Sequence, residues 1–528
     1  MSQPAKESTD KSMVFPMPQI PPEALEQFSE KTRTKFESIP FEHMSEKTRA
    51  KFQNIVPQSA PGAHAAVGHT IENSIPLSIF PIQPDKFCIC FCGLPGRGKT
   101  HISRRLARYL SFFHAIPTKV FNSQEYRRRI CGTLHDAEWF DPSNKEAREL
   151  RRRCNSEAIS DMVDFLNSNT NAVVILDSTN PTHERRRILF EKMTMAHTKV
   201  VFIEVSCDNL DFLAEQFKAV AHTSPDYANV NDVDAEADYS RRVDKYASFF
   251  EPIDERHDLE SKWSFFKCDH SRENFVVHKV RGYLPLKVVN FIMNMQIKTH
   301  GFYLSRHGQS EYNLLGRIGG DSGLSEHGLG YARKLAEYVD THITHDESGA
   351  QRPARLWTSS MKRTKETAQF IKSEKILLRD PDGAVHEWDQ MRGRAWHHMD
   401  ELFAGECDGM TYKEIEEKYP EEWVRRQVDK LAYRYPRGES YLDVIARLEP
   451  MIIEMERQKE PVLIIAHQGI LRIIYAFYMG LTRPEAPYVS IPLNTVIHIT
   501  PTPYDCIEER VVLYRELGKD GQDEPPSH

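Results

Sequence analysis

Two α/β domains in tandem, each a mainly parallel sheet covered by helices, are what this sequence predicts, and three observations predict them. Its 528 residues exceed the roughly 250–300 at which one hydrophobic core stops growing and a chain divides. Apolar runs of strand length recur with longer amphipathic stretches between them: Phe87–Cys92, Val173–Leu176 and Val200–Val205, then Gly301–Leu304, Ala354–Thr358 and Pro461–Ala466. That alternation is the pattern of parallel strands joined by crossover helices. Hydrophobic residues make up 40% and charged residues 27% of the chain, which is enough apolar surface to fill two cores.

In chain order, residues 1–80 are rich in Pro, Ser, Glu and Lys and predict a mobile or regulatory extension. Within it Ser29-Glu30-Lys31-Thr32-Arg33 returns as Ser45-Glu46-Lys47-Thr48-Arg49, a duplication too short to build a repeat fold. The first domain is placed at 81–298, with Gly282–Thr299 joining it to the second at 299–503, and a polar tail at 504–528. Nine cysteines include no C-x-x-C pair, and Cys88, Cys90 and Cys92 alternate along one strand face, as buried reduced thiols would. The first residues lack the apolar segment of a secretory signal, and no apolar run approaches the roughly 18–20 residues that span a bilayer. The expectation is a cytoplasmic protein without membrane contact. With 69 basic and 76 acidic residues the net charge is −7, which excludes a global field for nucleic acid. Any anion site must be local.

Gly93-Leu94-Pro95-Gly96-Arg97-Gly98-Lys99-Thr100 is a complete phosphate-binding loop between an apolar strand and the helical pattern of Ile102–Leu110. Gly93, Gly96 and Gly98 let backbone N–H groups turn toward phosphate oxygens; Lys99 reaches the β/γ-phosphates, and the Thr100 hydroxyl is offered to Mg²⁺. Such a loop needs a second metal partner at the end of a neighbouring strand, and Asp177 closes the run Val173–Leu176. Arginines cluster at Arg127–Arg129, Arg151–Arg153 and Arg185–Arg187. Beside a phosphate loop these predict a small phosphorylated acceptor, held by bidentate hydrogen bonds.

The second domain opens with Leu304-Ser305-Arg306-His307-Gly308 and later repeats the device in Ile465-Ala466-His467-Gln468-Gly469, each strand delivering a histidine to the sheet end. His307 can attack phosphorus and carry the phosphoryl group as phosphohistidine. Arg306 and Arg363 are the cations that charge on the transferred group requires.

These two constellations, in this order, resemble the 6-phosphofructo-2-kinase/fructose-2,6-bisphosphatase family over about residues 85–500. The likeness extends to Phe121-Asn122 with Tyr126-Arg127-Arg128, Asn144-Lys145-Glu146-Ala147, Asp177-Ser178-Thr179-Asn180 and Ser224-Pro225-Asp226-Tyr227. In the second half it includes Gly316-Arg317-Ile318-Gly319-Gly320-Asp321-Ser322-Gly323 and Tyr435-Pro436-Arg437-Gly438-Glu439-Ser440-Tyr441. The resemblance implies a P-loop kinase domain followed by a histidine-phosphatase, phosphoglycerate-mutase-like domain. Together they make fructose 2,6-bisphosphate from ATP and fructose 6-phosphate and hydrolyse it back, in a homodimer. It implies that Lys99 and Thr100 hold ATP and Mg²⁺, with Asp177 on the metal. Thr179, Arg127, Arg128, Arg151, Arg185, Arg242 and Tyr246 are implied to hold fructose 6-phosphate. In the second site it implies His307 as nucleophile with His467, Arg306 and Arg363 around the phosphoryl group, and Glu401 as proton donor. Asn313, Gly319, Tyr412, Arg426, Lys430, Tyr441, Gln468 and Arg472 are implied to grip the sugar and its 6-phosphate.

Two departures stand out. Where the family has Lys three residues before Ser224, this chain has Ala221, leaving His222 as the nearby group able to carry charge. The alternative this motivates is a fructose-2,6-bisphosphatase whose first domain senses nucleotide. The segment Lys372–Arg394 is longer than the family's, which makes Glu387 a rival to Glu401. Gln309 stands where the family often has Glu.

Overall fold

The computed structural model describes residues 86–133, 135–269, 271–296, 301–346, 348–379, 383–502 and 506–514; the extension with its duplication and the last residues from 515 lie outside them. The first domain runs β1 (Lys86–Cys92), α1 (Lys99–His114), β2 (Thr118–Asn122), α2 (Ser123–Cys131), α3 (Lys145–Asn167), β3 (Ala172–Asp177), α4 (His183–Met195) and β4 (Lys199–Ser206). It continues through α5 (Leu210–Thr223), α6 (Asp232–Ala247), β5 (Ser264–Asp269) and β6 (Asn274–His278). Its sheet has the order β2-β3-β1-β4-β5-β6, parallel except for the last strand. β1 is central and buried on both faces: Phe87, Ile89 and Phe91 pack on one side, and Cys88, Cys90 and Cys92 on the other. This two-sided burial explains why the strand reads as an unbroken apolar run. All nine cysteines are free thiols.

The predicted connection is mostly a helix, α7 (Tyr283–Asn294), with Val288, Val289, Phe291 and Ile292 buried. The second domain follows as β7 (Phe302–Arg306), α8 (Glu326–Tyr338), β8 (Arg355–Ser359), α9 (Lys362–Ala368), β9 (Glu374–Arg379), β10 (Val385–Gln390) and β11 (Gly393–Trp396). It ends with α10 (Tyr412–Lys418), α11 (Pro420–Val428), α12 (Tyr441–Arg457), β12 (Val462–Ala466), α13 (Gln468–Tyr478), β13 (Thr495–Pro501) and β14 (Cys506–Val512). The sheet order is β11-β8-β12-β7-β13-β14, with the last two strands antiparallel. The long insert is a separate hairpin of β9 and β10.

One boundary needs correction. The tail placed from residue 504 contains β14, which pairs with β13 from Thr495↔Val512 to Pro501↔Cys506. Its run Glu508-Glu509-Arg510 hides it, because an edge strand keeps charge on its open side.

The domains share an apolar core. α1 leaves the phosphate loop and ends against the second domain, where Phe112 and Phe113 meet Phe477 with ring centroids 5.9 and 5.2 Å apart. Tyr109 donates to Glu449 at 2.6 Å, and Arg105 pairs with the buried Glu456 at 2.5 Å. Among the described residues no helix is long and apolar enough to cross a membrane.

Candidate active sites

The first site is a cavity of about 1060 Å³ at the carboxyl ends of β1 and β3. A side chain at Gly93, whose φ is +122°, would place its Cβ 2.3 Å from the Val205 carbonyl oxygen, so only glycine lets the loop leave β1 there. Gly96 and Gly98 also have positive φ, and Gly98 is the N-cap of α1. The loop is tied to the segment after β3 by a bond from Gly93 N to Thr179 O at 3.0 Å. Lys99 is buried and donates to Leu94 O at 2.5 Å; burial lowers its pKa to about 8, against the attraction of Asp177. Register places Asn122 opposite Asp177, and its amide donates to that carboxylate at 2.6 Å. Burial pushes the Asp177 carboxyl up, while hydrogen bonding from Thr100 and the charge of Lys99 oppose the shift. A buried carboxylate joined to a Thr hydroxyl is an all-oxygen donor pair of the kind a hard divalent cation takes, so these residues fit Mg²⁺.

The same cavity is lined by Arg127, Arg128, Arg151, Thr179, Arg185, Arg242 and Tyr246, so the structure gathers every acceptor residue implied by resemblance. Asp226 organises them: Arg127 pairs with Oδ2, Arg128 Nε with Oδ1 at 2.7 Å, and Arg242 Nη1 with Oδ2 at 3.4 Å. Three cations around one buried carboxylate leave a net positive cradle. Buried guanidinium nitrogens without a hydrogen-bond partner remain on Arg127, Arg185 and Arg242, a cost that anion binding removes. Burial lowers the pKa of Arg185 to about 10. Arg151 instead donates to the carbonyls of Trp139 and Asp141. Ala221 is 4% exposed on α5, packed with Tyr227, Ala235, Tyr239 and Val243. His222 does not take over the missing charge: its side chain is 79% exposed and faces Asp232 at 3.8 Å. Adjacent helical positions point about 100° apart, so a side chain next to an inward one turns outward.

In the second domain β7 and β12 are parallel neighbours with Arg306 opposite Ala466, so His307 and His467 emerge side by side, ring centroids 5.2 Å apart. His307 Nδ1 lies 2.8 Å from Gly308 O. A carbonyl only accepts, so Nδ1 carries the proton and Nε2 keeps its lone pair for attack. Arg363 Nε donates to His467 Nδ1 at 3.2 Å, which puts the His467 proton on Nε2, facing Ser359 Oγ at 2.7 Å. Burial, then the charges of Arg306 and Arg363, hold His307 well below the ordinary histidine range; burial and Arg363 do the same to His467. Both rings are therefore neutral, as a nucleophile must be. Arg306 Nε is buried without a partner, and burial lowers its pKa to about 10 despite the nearby Glu401. Arg363 also donates to Gly320 O at 2.7 Å. Gly319 has φ +69° and a Cβ there would overlap the Asp408 carboxylate, so this glycine shapes the turn.

Glu401 follows β11 and faces α13: its Oε1 accepts from Leu402 N at 2.9 Å and its Oε2 from Gly469 N at 3.4 Å. Glu387, the rival acid, is exposed on the insert hairpin and pairs with Lys375 at 2.6 Å. Arg426 donates to Tyr412 OH at 3.2 Å, and Arg472 to Tyr441 OH at 3.3 Å and to Val489 O at 2.7 Å. Lys430 lies with these cations; burial, then Arg472 and Arg426, lower its pKa to about 7. Asn313 is committed locally, its Oδ1 accepting from Ser310 N at 2.9 Å in a capping box, and Gln468 opens α13 directly after His467. Gln309 accepts from Ser325 Oγ at 2.9 Å. Ser359 and Asp226 escaped the sequence argument as site residues. Asp226 stands in the quoted Ser224–Tyr227 run, whereas nothing around Ser359 marks it.

A phosphate loop with an arginine cradle, joined to a sheet presenting two neutral histidines among arginines, defines a P-loop kinase fused to a histidine phosphatase. Residues 78–299 match the 6-phosphofructo-2-kinase family and residues 302–512 the histidine phosphatase superfamily, branch 1. The chain is 38% identical to a 6-phosphofructo-2-kinase/fructose-2,6-bisphosphatase of Gallus gallus, over 83% of this chain and 87% of that protein. Identity is also 38% to its namesake in Aquarana catesbeiana, with the same coverage of both chains. It is 40% to a protein of Saccharomyces cerevisiae named fructose-2,6-bisphosphatase, over 79% of this chain and 87% of that one. The chain belongs to the 6-phosphofructo-2-kinase/fructose-2,6-bisphosphatase family.

Proposed function

We propose that this chain transfers the γ-phosphoryl group of ATP to the 2-hydroxyl of fructose 6-phosphate in its first site and hydrolyses the product, fructose 2,6-bisphosphate, in its second. The observation that carries this reading is the pairing within one chain of the Asp226 arginine cradle beside the phosphate loop with His307 and His467 on adjacent strand ends. In the first site Lys99 faces the phosphates, and Arg127, Arg185 and Arg242 bind the acceptor's phosphate through their unpaired nitrogens. Thr100 and Asp177 would hold Mg²⁺, which when bound neutralises charge on the phosphate oxygens.

In the second site His307 Nε2 attacks the 2-phosphorus while Arg306 and Arg363 stabilise its equatorial oxygens. The phosphorus–oxygen bond to the sugar breaks, and the Glu401 carboxyl passes its proton to the departing oxygen. Water then attacks the phosphohistidine, the Glu401 carboxylate takes its proton, and the phosphorus–nitrogen bond breaks to restore His307. Arg426, Lys430 and Arg472 receive the 6-phosphate. The protein works as a cytoplasmic homodimer without nucleic acid or membrane; nine unbridged cysteines support the compartment, and family resemblance alone supports the dimer.

Quenching in alkali after brief mixing with fructose 2,6-bisphosphate labelled on the 2-phosphate traps acid-labile, base-stable label on His307. Label on another residue, or none, overturns this reading. A pH effect follows from Lys430. In the free protein its amine is charged below pH 7 and neutral above, and a phosphate dianion binds the charged form. KM for fructose 2,6-bisphosphate is therefore lowest below pH 7 and climbs above it, by at most about tenfold per pH unit. Lys430→Met starts from a higher KM and loses the climb, which steady-state assays at pH 6 to 8.5 read directly.

A further inference from the structure

Arg447 on α12 lies outside the groups that touch substrate, yet its bonds converge on one stretch of backbone. Its Nη2 donates to Asp400 O at 2.6 Å and to Glu401 O at 3.3 Å, and its Nη1 donates to His398 O. The rest of the guanidinium is held by Glu439, with Nε to Oε1 at 2.9 Å and Nη2 to Oε2 at 3.1 Å. Glu439 grips the same stretch from its other end, as its Oε2 accepts from Phe403 N at 3.0 Å and its own N–H donates to Phe403 O at 2.9 Å. A planar fork with fixed donors sets the path of the chain from His398 to Phe403, which a flexible amine cannot do.

Apart from the attraction of Arg306 and Arg363, the carboxyl of Glu401 is placed by hydrogen bonds from backbone N–H groups. One oxygen accepts from the next residue's N–H and the other makes a long 3.4 Å bond to Gly469 N. Gly469 leaves just enough room, since a Cβ there would come within 2.6 Å of Glu401 Oε1. The position of the acid is therefore the position of its backbone, and the backbone is what the ion pair holds.

We propose that Arg447, braced by Glu439, is a positioning residue that sets the Glu401 carboxyl at the leaving oxygen, and is needed to expel a sugar alkoxide but not a leaving group that departs unprotonated. This rests on the assignment of Glu401 as proton donor. A displacement of about 1 Å at a reacting group costs on the order of 10²-fold in rate, and an acid so displaced slows the first, phosphoryl-transfer step only where a proton must be delivered to the leaving oxygen.

The test compares two substrates of the full chain, fructose 2,6-bisphosphate and p-nitrophenyl phosphate, whose phenolate leaves without a proton. Arg447→Met and Glu439→Gln are assayed beside Glu401→Gln. The expected result is a fall of about 10²-fold in the rate of phosphohistidine formation from the sugar substrate, with the pre-steady-state burst of p-nitrophenolate nearly retained, in all three variants. A retained burst from the aryl substrate also shows that each variant is folded; should Arg447→Met fail to fold, Glu439→Gln carries the test. Equal loss on both substrates in folded Arg447 and Glu439 variants, or no loss on either, overturns the clamp while Glu401→Gln stays selective. A Glu401→Gln protein without selectivity overturns the acid assignment itself, and the proposal with it.

Discussion

Hydrolysis of fructose 2,6-bisphosphate falls by about 10⁴–10⁶-fold in His307→Ala, the range seen when a covalent nucleophile is removed from a preorganised site. The size follows from what stays behind. Arg306, Arg363 and His467 come from separate elements, and Arg363 keeps its bonds to His467 and Gly320, so the variant still binds the bisphosphate. It lacks the single unprotonated nitrogen aimed at phosphorus. Phosphate release measured over hours gives the rate, and equilibrium binding to the same protein shows that the substrate still docks. A loss below about 10²-fold would mean that another group, or water aided by Glu401, attacks in its place.

The same variant exposes the kinase, because its product is no longer destroyed. Fructose 2,6-bisphosphate accumulates from MgATP and fructose 6-phosphate in His307→Ala and drops by about 10²–10³-fold when Lys99→Ala is added, the usual cost of one preorganised donor to a developing charge. Lys99 is held by burial and by its bond to Leu94 O, and its pKa of about 8 still leaves it mainly charged at neutral pH. Ala221 makes the starting rate informative. It lies under α6 among aromatic rings, and His222 faces solvent, so neither supplies a cation to the cavity. Turnover in His307→Ala therefore comes from Lys99 and the arginines around Asp226. Binding of MgATP with no product at all would instead make the first domain a nucleotide sensor attached to a phosphatase.

The strands buried on both faces were legible because their side chains are apolar whichever way they point: β1, β3 and β4, then β7 and β12. β2 and β14 were not, since each lies at a sheet edge and mixes charged or polar residues with apolar ones. The sites divide in the same way. Phosphate loops and strand-end histidines work through contiguous backbone, so a few adjacent letters reveal them. Asp226 draws in arginines from α2 and α6, Ser359 orients a histidine from another strand, and Arg447 braces a loop 46 residues earlier through carbonyls. Any residue has a carbonyl, so such bonds leave no trace in composition or spacing. Glu401 is singled out by resemblance alone, and the pairing of Glu387 with Lys375 on a separate hairpin separates the two acids in space.

The core shared through α1 has a consequence for how the two activities belong together. Phe112 and Phe113 of one half pack on Phe477 of the other, and Glu456 is buried against Arg105 from the opposite half. Cutting the chain at the connecting helix would strip those rings and leave that carboxylate facing water without its counter-ion. The opposing reactions are therefore inseparable as pieces of matter: a cell that makes this protein receives both catalysts in one-to-one ratio, and can set their balance only by changing rates, never by changing how much of each it holds.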